Sequence, residues 1–506
     1  MKKNITFFVA LFFTLPILFG ESSYIKKDKI YPDSKRPQKA TQEQISFSNE
    51  KNPEHSGTEY QKECEETFRF GLQNQIVSLL ETLTQEEDVR FKEEAYDLFW
   101  ETKSVSVREK IINYFAKLKD SCLEDFTVEV INDPYDEKRS TVDASFSYIS
   151  SVKSKAAIPG VIDLIDKEEA DYFSQAISCL GEIGGDEEAN FLADFVDRDD
   201  LSVGQRQSLV KVLGKLKAES TWEKLASLAE DENENLYVRM YAAEAIGAIG
   251  KPDAENILIE LFESDDPNLR VYVIKGISYY EDSKSDALLL QGLRDAHYKV
   301  RLEAIDTCAK RKLSSAVPYL IYRCRDKDEE KVVKEKCYKV LSQIGTTEAN
   351  DYLISLIKDK KTSETVASQA ASALLENGNA GRKEIIALAE QTLKDDKKKN
   401  LRYALGKEFA KYGTSDFEDI CEKYLQSSDI PTQGTGLDIF ARGKYNSLRS
   451  QVESIAWQNG SGKKKRNANA NKAASILKRL YNWEEPLENS TETAANATAA
   501  NAAAEK

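Results

Sequence analysis

The sequence predicts an all-α fold, an α-solenoid of about ten stacked helix pairs, on three observations. One phrase recurs at near-constant spacing, each copy carries two apolar stripes at helical spacing, and turn residues separate the stripes. The phrase is a small or apolar stretch, often introduced by Arg, that ends in an apolar-Gly pair. Its clearest copy is Val238-Arg239-Met240-Tyr241-Ala242-Ala243-Glu244-Ala245-Ile246-Gly247-Ala248-Ile249-Gly250. With Val238 as anchor, equivalent positions fall at Tyr172, Gln205, Leu269, Val300, Val333, Val366 and Leu401, in steps of 33, 33, 31, 31, 33, 33 and 35 residues. So steady a period over this length describes one extended array rather than several globular domains.

Within a copy, the first helix places Val238, Ala242, Ala245, Ile246 and Ile249 on one stripe, because steps of three and four residues share a face. The break Gly250-Lys251-Pro252 suits a helix end: Gly accepts the left-handed cap and Pro cannot continue the helix. A second helix follows through Ile257, Leu258, Leu261 and Phe262, and stops before the acidic loop Ser264-Asp265-Asp266-Pro267. Leu269-Arg270 then opens the next unit. Other copies keep the plan, with Ile183-Gly184 before Phe191, Leu192, Phe195 and Val196, and Ile344-Gly345 before Tyr352, Leu353, Leu356 and Ile357. Pro159 and Pro318 enter early in second helices, where the missing N–H has no intrahelical partner to lose.

The pattern V-R-x-x-A-A-x-A-I-G-x-I-G and its degenerate relatives resemble HEAT repeats, especially the HEAT-like type named for phycobilisome lyase subunits. The resemblance covers roughly residues 105–445, and more weakly the helices from about residue 63. It implies stacked helix-pair HEAT-like repeats and is nearly silent on activity. It also implies a structural role for Arg239, Arg270, Arg301 and Arg402, with an Asp shortly before the Arg, as at Asp266 and Asp295, joining neighbouring units. Phe173, Ser368-Gln369 and Lys334 depart from the pattern, so less regular units are expected there.

The ends read differently. Residues 1–20 resemble a secretory signal peptide: Met1-Lys2-Lys3-Asn4, then an apolar run from Ile5 to Phe19 broken by Pro16, with Gly20 before a candidate cleavage point. Glu21 stands where a lipoprotein would need Cys. The expectation is a periplasmic or secreted protein, the alternative an uncleaved inner-membrane anchor; no later apolar run is long enough to span a bilayer. Residues 21–62, polar with Pro32, Pro37 and Pro53, read as a flexible tether, and residues 63–104 as capping helices before an array over 105–455. Residues 456–485 hold the basic Lys463-Lys464-Lys465-Arg466 and an amphipathic helix from Ala473 to Tyr481 carrying Ile476, Leu477 and Leu480. Residues 486–506, Ala/Asn/Thr-rich, read as disordered.

A formal net charge of −15 over 506 residues argues against general nucleic-acid binding and keeps a long surface soluble. The seven cysteines, Cys64, Cys122, Cys179, Cys308, Cys324, Cys337 and Cys421, form no C-x-x-C pair. Cys179, Cys308, Cys324 and Cys337 fall on apolar stripes and read as buried thiols. Cys64 and Cys122, at the irregular end, are the pair an oxidising compartment would allow to bridge. His55 and His297 are the only histidines, with no His pair at helical spacing, so the His-Glu steps of the di-iron deoxyhypusine hydroxylases among HEAT-like proteins are missing. Gly184-Gly185 lacks the Lys-Ser/Thr of a phosphate loop, no Gly-x-Ser-x-Gly elbow occurs, and Glu187-Glu188 and Asp199-Asp200 read as solvated loops. No catalytic residue, metal site or cofactor is expected.

The remaining candidate is the array surface, where second helices commonly make the contacts. Tyr319, Tyr322 and Arg323 are of the types most used as binding anchors, and Tyr279-Tyr280 replaces the apolar-Gly turn of regular units. The expected function is an exported, non-enzymatic scaffold that binds another envelope protein through this surface. The alternative, implied by the lyase resemblance, is a lyase- or chaperone-like array that cradles a prosthetic group or a client enzyme. Self-association, with residues 463–466 meeting an acidic face, is a third.

Overall fold

The computed structural model describes residues 35–198, 200–457 and 467–484. The signal-like residues 1–20, the first part of the presumed tether, the basic 463–466 segment and the tail after residue 485 lie outside the described residues. Among the described residues the structure is helical throughout, with no strand. It divides into two compact units, residues 1–257 and 258–506, the division falling within the helix Pro252–Leu261.

The first unit is a stack of helix pairs. Its first helices, Gln73–Glu86, Val105–Leu118, Arg139–Val152, Phe173–Ile183, Val203–Leu216 and Leu236–Ile249, each pack on the next. The second helices Lys92–Glu101, Glu124–Asn132, Ile158–Asp166, Asp186–Val196 and Trp222–Glu230 each pack on the first helix that follows. The pairing thus starts at Gln73, ahead of the boundary at residue 105. The second unit repeats this plan, with first helices from Pro267–Ile277 to Ile430–Gly443 and second helices from Ser283–Gly292 to Arg449–Trp457. It closes with Ala468–Tyr481, whose Ile476 and Leu477 are buried against the last pair. No helix among the described residues is long and apolar enough to cross a membrane.

The apolar stripes form the core between the two helix layers. Val238, Ala242, Ala245 and Ile246 are buried, as are Val300, Ile305, Leu320 and Ile321 in the second unit. The two glycines of the phrase do different work. Gly250 has φ +82° and ends Leu236–Ile249 in the left-handed region, with Pro252 opening the next helix. Gly214, inside a helix, lies where a Cβ would meet Ala245 Cβ at 2.7 Å and Cα at 2.9 Å, so it sets how closely successive first helices approach. At five other helix ends the left-handed cap is a lysine: Lys119, Lys153, Lys217, Lys312 and Lys444 all have φ between 50° and 58°. The strain costs each about 1 kcal/mol relative to Gly, and a cation at a helix C-terminus partly offsets it.

Two expectations are corrected here. The described part of the presumed tether is packed on the array: Gln42–Lys51 is a helix closed by a Thr41–Gln44 capping box. Arg90, paired with buried Asp88, donates to Asn49 Oδ1 at 3.1 Å and to the His55 carbonyl at 2.9 Å, which fastens this segment to the first pair. Irregularity also does not follow every departure from the repeat pattern. Phe173–Ile183 is short at 11 residues, whereas Lys331–Ile344 keeps 14 despite Lys334.

Candidate interaction surface

The repeat arginines come first, because they position the loops of the surface. The last carbonyls of a helix have no intrahelical partner, and a guanidinium presents several donors in one plane. Arg239 Nε donates to Ala229 O at 3.1 Å, and Arg402 donates to Thr392 O at 3.0 Å. Arg270 donates to Ser264 O at 2.7 Å and Asp265 O at 3.1 Å, and forks onto Asp295 at 2.7 and 2.9 Å. Arg301 donates to Asp295 O at 2.8 Å and Ala296 O at 3.0 Å, and to the carboxylate of buried Glu329. Each of these four arginines closes the second helix or loop before it, and Arg270 and Arg301 also grip a carboxylate one repeat further on. Asp295 therefore pairs with the arginine of the preceding repeat, while Asp266 caps its own helix through the N–H groups of Asn268 and Leu269.

Sequence reasoning missed two members of the series. Arg206 donates to Val196 O at 2.8 Å and forks onto Glu234 at 2.9 and 2.6 Å, and Arg108 Nε donates to Phe99 O at 3.1 Å. Arg206 was discoverable, since it follows the Gln205 anchor as Arg239 follows Val238. Lys334, the substituted position, reaches only Lys327 O at 3.5 Å, as a single point charge would.

In the second unit these clasps frame an open cleft of about 780 Å³. Its apolar lining is Phe262, Ala287 and Leu290, and its polar lining Glu263, Asp265, Gln291 and Arg294, together with the Arg270–Asp295 pair and Tyr319. Burial tends to raise the Asp295 carboxyl, but hydrogen bonds from Arg270 and the His297 N–H outweigh it and hold the group below its ordinary range. That pair is internally neutral. Glu263, Asp265, Gln291 and Arg294 have no side-chain hydrogen bond or ion pair to another described residue and are exposed, so the cleft offers donors and acceptors beside the apolar Phe262, Ala287 and Leu290.

The aromatic candidates separate. Tyr319 is half-buried and lines the cleft. Tyr322, one turn on, is 61 % exposed with the Arg323 guanidinium 4.7 Å from its ring centroid. Arg323 is held by Glu329 at 3.4 Å and Asp326 at 3.5 Å. Tyr279 and Tyr280 occupy the turn after Pro267–Ile277, with Tyr279 48 % exposed. Arg311 of the next first helix donates to the Ile277 carbonyl at 2.8 Å and to the Tyr280 carbonyl, and pairs with Asp286 at 3.0 Å. A distant guanidinium thus closes the turn that glycine closes elsewhere.

All seven cysteines carry free thiols and are buried. Cys64 sits in Thr58–Phe70, its thiol pushed up to about 11 by burial, and Cys122 in the 3-10 turn Ser121–Leu123, its thiol also raised by burial. The structure leaves this pair unjoined. His297 caps Tyr298–Arg311 through Nδ1, and His55 Nδ1 lies 2.7 Å from Glu86 Oε1 while its ring stacks on Tyr60. Among the described residues no group of three or more His, Cys, Asp or Glu side chains is placed to hold a metal ion.

Solved structures with helical likeness include human deoxyhypusine hydroxylase in complex with glycerol, at 16% identity over 49% of this chain and 94% of that one, TM-score 0.24. Kap121p matches at 12% identity over 87% of this chain, TM-score 0.38, with only 56% of its own length covered. Kap95 in the Kap95:Nup1 complex matches at 12% identity over 86% of this chain and 68% of that one, TM-score 0.44. No curated protein matches the chain. The model of the spirochaete HEAT repeat proteins matches residues 68–476, nearly the whole run of helix pairs from Gln73 to Tyr481. The chain therefore belongs to the spirochaete HEAT repeat protein family.

Proposed function

We propose that this HEAT-repeat protein is an exported, non-enzymatic scaffold that binds another protein of the cell envelope through the cleft between Phe262 and Tyr319. The observation that carries the reading is that cleft: open, lined by both polar and apolar residues, bordered by the Arg270–Asp295 clasp, and lined by four exposed polar side chains that have no partner among the described residues. Interfaces draw their energy from aromatic anchors in such settings, and Tyr319 with the neighbouring, exposed Tyr322 supplies two. Among the described residues Arg294 is a guanidinium of the cleft without an ion-pair partner, whereas Arg323 serves to hold Glu329. The basic start and apolar run of residues 1–20 support export.

In-cell crosslinking of the tagged full chain, with fractionation of the same cells, tests both parts. One recurrent envelope protein is expected, with its capture reduced about tenfold or more by Tyr319→Ala with Tyr322→Ala and Arg294→Ala, at unchanged helicity. Capture that survives all three substitutions removes the cleft from the function. Recovery from the cytoplasm with residues 1–20 intact removes export.

A further inference from the structure

Residues 35–39, Lys35-Arg36-Pro37-Gln38-Lys39, cross the second-helix side of the first unit before the chain enters its first helix. Lys35 Nζ bridges Glu124 Oε2 at 3.0 Å and Asp125 Oδ1 at 2.7 Å, at the start of Glu124–Asn132. Arg36 pairs with Asp97 and lies 5.6 Å from the centroid of Tyr96, and Lys39 pairs with Glu93 at 3.2 Å, all three partners on Lys92–Glu101. Pro37, between the two cations, is buried. Three cations and a proline therefore fill a face made of four carboxylates and an aromatic ring that belong to two successive second helices.

The contacts are those a bound peptide makes. After Lys35 the segment has no regular helix, its recognition is by side chains, and its one apolar residue is the one that is buried. Ion pairs as exposed as these are individually weak. The segment holds its place because it is tethered at Gln42–Lys51, which gives it a high effective concentration. A segment of the same chemistry on another protein meets the same carboxylates once the tethered one lets go.

We propose that Lys35–Lys39 is an autoinhibitory strap: it covers a face formed by Glu93, Tyr96, Asp97, Glu124 and Asp125 that takes a basic, proline-containing segment of a partner protein. This face is in the first unit, so the inference does not rest on the Phe262–Tyr319 cleft. Displacement of the strap by the partner makes binding competitive, so that only a segment presented at high local concentration, or in several copies, gains the face.

The test is fluorescence anisotropy with a labelled synthetic peptide of residues 35–41 and the full chain. The chain carrying Lys35→Ser, Arg36→Ser and Lys39→Ser binds this peptide at least tenfold more tightly than the unaltered chain, and adding Asp97→Asn with Glu124→Gln abolishes the gain. Arg36→Ser alone gives the same direction at smaller amplitude, which keeps the test open if the triple variant folds poorly by circular dichroism. Equal binding by the strap variants and the unaltered chain overturns the proposal, as does binding that survives Asp97→Asn with Glu124→Gln. An unaltered chain that runs as a dimer by light scattering and is split by the peptide also overturns it, because the segment then belongs to a second copy.

Discussion

The second-helix surface between Lys92 and Asn132 and that between Phe262 and Tyr319 are built from the same kind of repeat, yet one is covered and the other bare. In the first, carboxylates and a tyrosine meet cations from the chain's own residues 35–39. In the second, Glu263, Asp265, Arg294 and Tyr319 meet no such segment among the described residues. Both have a guanidinium closing the helix end or loop beneath them, Arg108 onto Phe99 O and Arg270 onto Ser264 O. The difference teaches that the repeat builds the platform, while what happens on it is decided by residues outside the repeat pattern.

The largest effect is expected where the platform itself is broken. Arg301→Ala leaves Glu329 buried with only Arg323 and its neighbour's N–H, and frees two loop carbonyls. A loss of about 3 kcal/mol is expected, read as a lowered denaturation midpoint together with lost amide-exchange protection over residues 296–344. Protection unchanged in that stretch would show that the clasps are ornaments of the fold. Next comes the spacing of first helices: Gly214→Ala places a methyl against the Ala245 backbone and should cost about 1–3 kcal/mol, whereas Gly204→Ala, with open space around it, should cost little.

Acid loosens the two surfaces together and more gently. Hydrogen bonds from Ser154 and Lys35 outweigh the upward push of burial and hold Glu124 below the ordinary carboxylate range, as Arg270 does for Asp295. A carboxyl depressed in the folded state stabilises fully above its unfolded value and loses that contribution as pH falls through the folded one. Both contacts should therefore persist at neutral pH and fail only below the ordinary carboxylate range. Exchange protection, corrected for intrinsic rates, should fall for residues 38–51 and 263–301 on going from about pH 6 to about pH 3. Protection that fell in neither stretch would remove electrostatics as the fastening of strap and clasp alike.

What the sequence made legible follows from period. Stripes such as Val238, Ala242, Ala245 and Ile246 repeat at 31–35 residues because each unit must bury them against the next, so helices, turns and the Arg239, Arg270, Arg301 and Arg402 series could be read directly. Lysines at left-handed caps were invisible, since nothing local in the sequence marks Lys119 or Lys217 as residues forced to positive φ. The strap was misread because a polar, proline-bearing stretch looks like a solvated linker until its charges are matched with carboxylates some ninety residues away, as Lys35 is with Glu124 and Asp125. Tyr279 and Tyr280 stand where the apolar-Gly pair of regular units is replaced, but the closure of that turn by Arg311 depends on a neighbour in space that no local pattern names.

The arginine clasps carry a consequence for how such a chain changes length. Arg270 gathers the carbonyls of the loop before it and the carboxylate of the loop after it, as Arg206 and Arg301 do, so each repeat clasped in this way shares one half of a clasp with the next. A duplication or deletion of one whole period among the repeats that carry both halves, such as those of Arg270 and Arg301, rejoins a donor half to an acceptor half at the new seam. Unequal recombination can thus add or remove repeats without any compensating substitution, provided the period is kept. A family built this way can vary in number of repeats far more readily than in the sequence of any one of them.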